Sequence, residues 1–148
     1  MTSDDFDRRV RVRVYEIAMD RGTPPAAAEL AAAIGCERAE VLESFGRLAD
    51  AHVLVLQRDN GEILMAPPFS AVPTPFVVET PRYATYGNCI WDALGIAAML
   101  RTDARIVTSC GDCGTAAEVV VDGDEVRGEG LIHFAIPARD WWNDIVFT

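Results

Sequence analysis

Four side chains carry most of the chemistry this chain could perform: Cys89 and Asp92 in GNCIWD (residues 87–92), and Cys110 and Cys113 in SCGDCG (residues 109–114). The stretch GNCIWDALGIAAML, residues 87–100, reads as a buried helix, and residues three apart on a helix are neighbours. Asn88 is a favoured N-cap, which would seat Cys89 at the first helical position, where free N–H groups and the helix dipole favour an anion. A thiolate there is both a nucleophile and a soft-metal ligand. Asp92 stands among Trp91, Ala93 and Leu94, apolar company in which a carboxyl group tends to keep its proton. The pair therefore offers a reactive sulfur beside a proton donor. A plainer description also fits: a small buried hydrophobe and a first-turn acid that serves the dipole.

Cys110 and Cys113 have the spacing of half a zinc knuckle, in a Gly-containing turn. A tetrahedral zinc site needs two further ligands, and the sequence has no second CxxC and no spaced His pair. A structural zinc ion, a redox dithiol and two thiols that merely line a hairpin all remain open, although redox dithiols favour a helix start over a strand-to-strand turn. Cys36 follows Gly35 at the start of a helix in the other half of the chain and reads as a helix-terminal or core residue. His52 ends that helix and suits its dipole, while His133 falls in GLIHFAIP and reads as a strand histidine. Trp141 and Trp142 have no basic neighbours that would suit nucleic-acid stacking, so they read as caps on the core or an interface. There is no Gly-rich phosphate loop and no GxSxG.

The elements that must hold these groups follow from periodicity and punctuation. FDRRVRVRVYEIAMDRG places Val10, Val14, Ile17 and Ala18 on one stripe, TPPAAAELAAAIG supplies a short second helix and CERAEVLESFGRLADA a third. Gly22 and Gly35 are the stops, and Pro24 and Pro25 suit the first turn of the second helix. HVLVLQRDNGEILMAP alternates into a hairpin around Asp59-Asn60-Gly61. Three helices and a hairpin make a winged-helix-like unit over residues 1–66. Five of the eight prolines fall between residues 66 and 81, so residues 67–81 read as an extended connector. Residues 82–148 then read as a core domain: the Cys89 helix to about Arg101, strands ARIVTSC, TAAEVVVDG and GLIHFAIP separated by CGDCG and DGDE turns, and ARDWWNDIVFT as a helical turn entering another strand. The expected class is α+β, with a small mixed or antiparallel sheet behind a buried helix.

Composition narrows the partners. The chain has 148 residues, half of them apolar, enough for a real core. All 13 positive charges are arginine, against 23 acidic residues, for a net charge of −10. The third helix carries Glu37, Glu40, Glu43 and Asp50 against Arg38 and Arg47, the wrong sign for a DNA-reading helix, and the acidic surface repels anionic lipid too. Neither nucleic acid nor a membrane is an expected partner. MTSDDFDRRV has no apolar signal region and no run suits a membrane span, so a cytoplasmic chain with reduced thiols is expected.

Across residues 5–147 the order of features resembles the alkylmercury (organomercurial) lyase family. The resemblance lies in the acidic winged-helix-like half, the passage LVLQRDNGEILMAPPFS into a proline-rich crossing, and the Cys-x-x-Asp helix start of NCIWDALGIAAML. It continues through ARIVTSC followed by TAAEVVV and through the approach IPARDWWNDIVF. The Cys-x-x-Asp element is its most specific part. The resemblance implies protonolytic cleavage of carbon–mercury bonds by two cysteines and an aspartate, with Cys89 as the first thiol and Asp92 as the proton carrier. It matches Cys110 to a structural cysteine of the family, with Cys113 an addition. The family's second catalytic cysteine would fall at or just after Thr148: either Thr148 stands in its place or a further C-terminal segment carries it. Cys113 could supply that thiol if its turn folds toward Cys89.

The expected function is thus organomercurial lyase-like cleavage, or thiolate capture of a soft metal, with Cys89, Cys110 and Cys113 as candidate metal ligands. No cofactor is required; mercury(II) or an organomercurial is substrate or product, and the partner is a small organometallic or a soft metal ion. Two other readings stand beside it: a noncatalytic thiolate metal-binding or sensing module, and a degenerate structural relative whose acidic helical half contacts protein.

Overall fold

A reciprocal cap opens the first helix: the Thr2 hydroxyl accepts the Asp5 N–H at 3.2 Å and the Asp5 carboxylate accepts the Thr2 N–H at 3.4 Å. The structure is a computed structural model and describes residues 2–147. Helix α1, Ser3–Arg21, buries Phe6, Val10, Val14 and Ala18, a strict i+4 stripe, while Ile17 lies at its edge. Gly22 ends it in the left-handed region (φ 84°), and a Cβ there would come within 2.7 Å of the Tyr83 ring.

Helix α2, Ala27–Ile34, starts later than the prolines predict. Pro24 and Pro25 are not in its first turn, because a proline forces the residue before it out of the helical region, and fully buried Pro25 precedes the N-cap, Ala26. The Glu62 carboxylate caps the helix instead, accepting the Ala27 N–H at 2.7 Å. Helix α3, Arg38–Asp50, buries Val41, Ser44, Phe45 and Leu48 against α1 and α2. Asp7 of α1 joins it: its carboxylate accepts from Ser44 Oγ at 2.6 Å and from Arg47 Nε and Nη2 at 2.8 and 2.7 Å.

After the helices come β1 (Val55–Leu56), β2 (Ile63–Ala66) and β3 (Phe69–Ser70), an antiparallel sheet in that order. The expected hairpin is present, with Gly61 left-handed at its tip, and a third strand is added to it. Residues 67–81 alternate turns and bends with two short strands: they supply β3 and also β4, Val77–Glu79. Prolines 67, 68, 73, 75 and 81 all lie outside those ladders, where a missing N–H costs nothing. The Pro67–Pro68 bond is cis.

The second sheet is wholly antiparallel, in the order β5-β4-β6-β7-β8, with β5 Ala84–Tyr86, β6 Ala104–Ser109, β7 Ala116–Asp122 and β8 Glu125–Gly128. Helix α4, Ile90–Leu100, lays Ala93, Ile96 and Ala97 on Val78 and Ile106 of this sheet, together with Phe69 and Ala18. It buries one face and leaves Trp91 and Met99 exposed. The class is α+β, as expected.

Two strand expectations fail near the C-terminus. GLIHFAIP is irregular, because the two-residue turn at Gly123-Asp124 folds residues 125–128 straight back on β7, and Gly130 then turns at φ 111°. ARDWWNDIVFT opens with the expected helical turn, a 3-10 helix at Ala138–Asn143, but no strand follows it among the described residues. No helix among the described residues is long and apolar enough to cross a membrane.

Candidate active site

The site begins where β5 ends. Gly87 donates its N–H to Phe76 O at 3.0 Å and accepts from Thr74 Oγ1 at 2.6 Å, which presses its backbone against the first turn of α4. A Cβ at this position would sit 2.7 Å from Ala93 N, so only glycine permits the approach. Asn88 follows, and its role differs from the predicted one. Its amide nitrogen donates to Asp92 Oδ2 at 2.8 Å, with longer contacts of 3.4 Å to the carbonyls of Pro68 and Phe69. With Asn88 so engaged, Cys89 itself becomes the N-cap, extended in backbone, and its Sγ accepts the Asp92 N–H at 3.4 Å. The sulfur and the carboxylate thus stand on one turn, joined through the backbone of Asp92.

The electrostatics of the pair are set by its half-buried position. Burial pushes the Cys89 thiol up, and the neighbouring Asp92 charge adds to this, against the pull of the Asp92 and Trp91 N–H groups. The anion-favouring effect of the helix start is therefore present but outweighed. Burial likewise raises the Asp92 carboxyl above the usual carboxylate value, opposed by the Asn88 hydrogen bond. Asp92 is a carboxyl group that resists ionisation next to a thiol, and each is easier to ionise when the other is neutral. Asn88 Oδ1 is buried and lacks a hydrogen-bond partner among the described residues.

Tyr15 of α1 is a neighbour that the sequence does not flag. Its hydroxyl donates to Pro67 O at 3.0 Å, and the phenol is pushed up by burial, with Asp92 contributing through its charge. In the sequence Tyr15 is one more residue beside an apolar stripe; only the fold carries it from the first helix to the fourth.

Trp91, exposed beside the pair, meets the Phe134 ring edge-on at 6.2 Å, and Phe134 meets Trp141 at 5.1 Å. Trp141 Nε1 donates to Ile136 O at 2.8 Å, and Trp142 stacks on His52 at 4.3 Å. The C-terminal segment therefore runs along the surface from the first turn of α4 to the end of α3. His133 is exposed and outside any strand. Cys36 is half-buried beside the first core, its thiol pushed up mainly by burial.

Cys110 and Cys113 occupy the turn between β6 and β7, as their spacing predicts. The turn is closed by Cys110 N–H to Thr115 O at 2.8 Å and Gly114 N–H to Cys110 O at 2.9 Å, and both thiols are exposed. Cys113 Sγ lies 3.1 Å from Thr115 Oγ1. Hydrogen bonds from Thr115 and from the Cys110 thiol bring the Cys113 thiol down to about 7. Among the described residues no three His, Cys, Asp or Glu side chains converge as a ligand set. Cys89 and the CxxC turn are therefore two separate thiol centres. The position at which the resemblance places a second catalytic cysteine, Thr148, lies outside the described residues.

With this geometry in view, comparison with known proteins is specific. A model of the alkylmercury lyase family, MerB, matches residues 69–148, more than half of the chain and all of the Cys89 and CxxC elements. The chain belongs to the alkylmercury lyase family. Among solved structures, the crystal structure of the mercury-bound form of MerB2 superposes on 84% of this chain and 65% of its own, with a TM-score of 0.61 at 18% identity. That likeness is one of fold, and this chain spans less than two-thirds of that protein's length. No curated protein matches the sequence.

Proposed function

We propose that this protein captures organomercurials through Cys89 and that Asp92 delivers the proton that cleaves the carbon–mercury bond. The observation that carries this reading is the seating of Cys89 Sγ and the Asp92 carboxyl on one helical turn, with Asp92 N–H on the sulfur at 3.4 Å and the carboxyl held up by burial. The Cys89 sulfur displaces the labile ligand of R–Hg–X and forms a sulfur–mercury bond, soft donor to soft metal, while the thiol proton leaves with the departing ligand as HX. A second sulfur, from excess solution thiol, enriches mercury in electron density. The Hg–C electron pair then takes the Asp92 proton, releasing R–H and leaving an Asp92 carboxylate and a mercuric dithiolate. Mercury stays divalent throughout, so no oxidant or reductant is required.

Asp92 suits this step because a general acid must still hold its proton near the working pH, and burial moves a carboxyl in that direction. Asn88 limits the shift by donating to Asp92 Oδ2 at 2.8 Å. The test is incubation with a phenylmercury salt and excess thiol. Benzene release that is lost in Cys89→Ser supports the proposal; stoichiometric mercury uptake without benzene favours the noncatalytic binder, to which the exposed CxxC turn also lends itself.

A further inference from the structure

The sheet brings the two thiol centres to the same end. Tyr86 of β5, Val77 of β4 and Val107 of β6 lie in one cross-strand row. Because β5 and β6 are each antiparallel to β4, they run in the same direction and leave the sheet together: Cys89 lies three residues beyond Tyr86, and Cys110 three residues beyond Val107. Two strand spacings, roughly 10 Å, separate the two strands laterally. We propose that Cys110 and Cys113 form a second, two-sulfur site for a soft divalent ion, which receives the mercuric ion from Cys89 by thiolate exchange. The transfer half of this inference rests on the proposed function; the ion-binding half stands on the turn itself.

Three observations select a soft two-coordinate ion. Both thiols are exposed and sit three residues apart in one turn closed by the Cys110–Thr115 and Gly114–Cys110 backbone hydrogen bonds, so the turn presents two sulfurs without rearranging a core. Among the described residues no third ligand joins them, which fails the four-ligand demand of zinc but satisfies an ion content with two sulfurs. Thr115 Oγ1 lies 3.1 Å from Cys113 Sγ, so a hydroxyl stands within reach to donate to that sulfur when it binds a metal. In the exchange, two mercury–sulfur bonds form at Cys110 and Cys113 as the bonds to Cys89 and the solution thiolate break. The protons given up by the turn thiols pass to the displaced sulfurs, and mercury remains divalent.

The test uses the full chain carrying Cys36→Ser and Cys89→Ser, which leaves Cys110 and Cys113 as its only thiols. It is titrated with mercuric chloride in excess monothiol and followed by native mass spectrometry and the mercury–thiolate ultraviolet band. The expected result is one mercury per monomer, with affinity falling about 100-fold when Cys110→Ser or Cys113→Ser is added, since the second sulfur on one turn acts at high effective concentration. No bound mercury, two mercuries per chain, or one shared between two chains overturns the site. For transfer, the unsubstituted chain is loaded with one equivalent of mercuric chloride, digested and mapped. Mercury that settles on the peptide with residues 110 and 113 shows the order of affinities that the hand-off requires, and mercury retained on Cys89 overturns it. Neither readout depends on carbon–mercury cleavage, so failure here is distinct from failure of the lyase reading.

Discussion

The Asn88 side-chain amide donates to Asp92 Oδ2 at 2.8 Å, across the same turn on which Asp92 N–H meets Cys89 Sγ. This hydrogen bond favours the Asp92 carboxylate and so restrains the rise that burial causes. Asn88→Ala is expected to raise the Asp92 carboxyl further, moving the alkaline limb of the benzene-release profile to higher pH. A profile of unchanged shape and position would show that Asn88 has only a structural role.

Asp92→Asn keeps the shape and removes the proton. Benzene release is expected to fall by about 100-fold or more, the scale of a lost general acid. Capture of phenylmercury by Cys89 is expected to persist, and alkylation of Cys89 by iodoacetamide to quicken at the pH values where Asp92 is ionised in the parent, because the charge that opposes its thiolate is gone.

The same substitution has a defined effect on stability. The Asp92 carboxyl is raised in the folded chain, so between the usual value of 3.8 and the higher folded value the folded state holds a proton that the unfolded state has lost. Stability contributed by this group therefore falls as pH rises through that window, and the full cost is felt above it. Asp92→Asn is expected to be more stable than the parent at neutral pH, with the gap closing in acid, as measured by urea denaturation at several pH values.

Asp7 works in the opposite direction. Its carboxyl is held below 3.8, first by the Arg47 guanidinium and then by Ser44, so its contribution is complete above that value and lost as pH falls through the lower folded one. Asp7→Ala leaves the buried Ser44 hydroxyl without this acceptor and is expected to cost about 1–3 kcal/mol at neutral pH. Its denaturation midpoint should approach that of the parent in strong acid.

Gly87→Ala places a methyl group 2.7 Å from Ala93 N, against helix backbone, two residues before Cys89. Overpacking of this kind costs roughly 1–3 kcal/mol. Benzene release is expected to suffer beyond the loss of stability, because the Cys89 turn must shift. Unaltered melting and turnover would show that the junction yields freely.

How much of this was legible beforehand varies by residue, for physical reasons. The stripe Val10, Val14 and Ala18, the stop at Gly22 and the CxxC turn are local patterns, and the fold preserves them. The pairing of Cys89 with Asp92 was visible from helical spacing, yet the cap was misassigned, since the tie of Asn88 to Asp92 competes with capping and no propensity ranks that competition. The strand at 125–128 was missed because it is short, exposed along its length and polar, so it has no alternation to show. GLIHFAIP has the composition of a strand but finds no ladder to join, and Leu131 is left 98% exposed. Strand β4 hid among prolines, and Tyr15 is separated by 77 positions from the carboxylate whose field it feels.

Helix α1 serves both halves of the molecule. Ala18 packs in the core beneath α4, and the hydroxyls of Tyr83 and Thr85 donate to the carbonyls of Met19 and Gly22. A graft of residues 69–147 onto a foreign scaffold would strand those two hydroxyls and open a gap under the Cys89 helix. Swaps among relatives must therefore carry α1 along with the reactive turn, even though the family match begins only at Phe69.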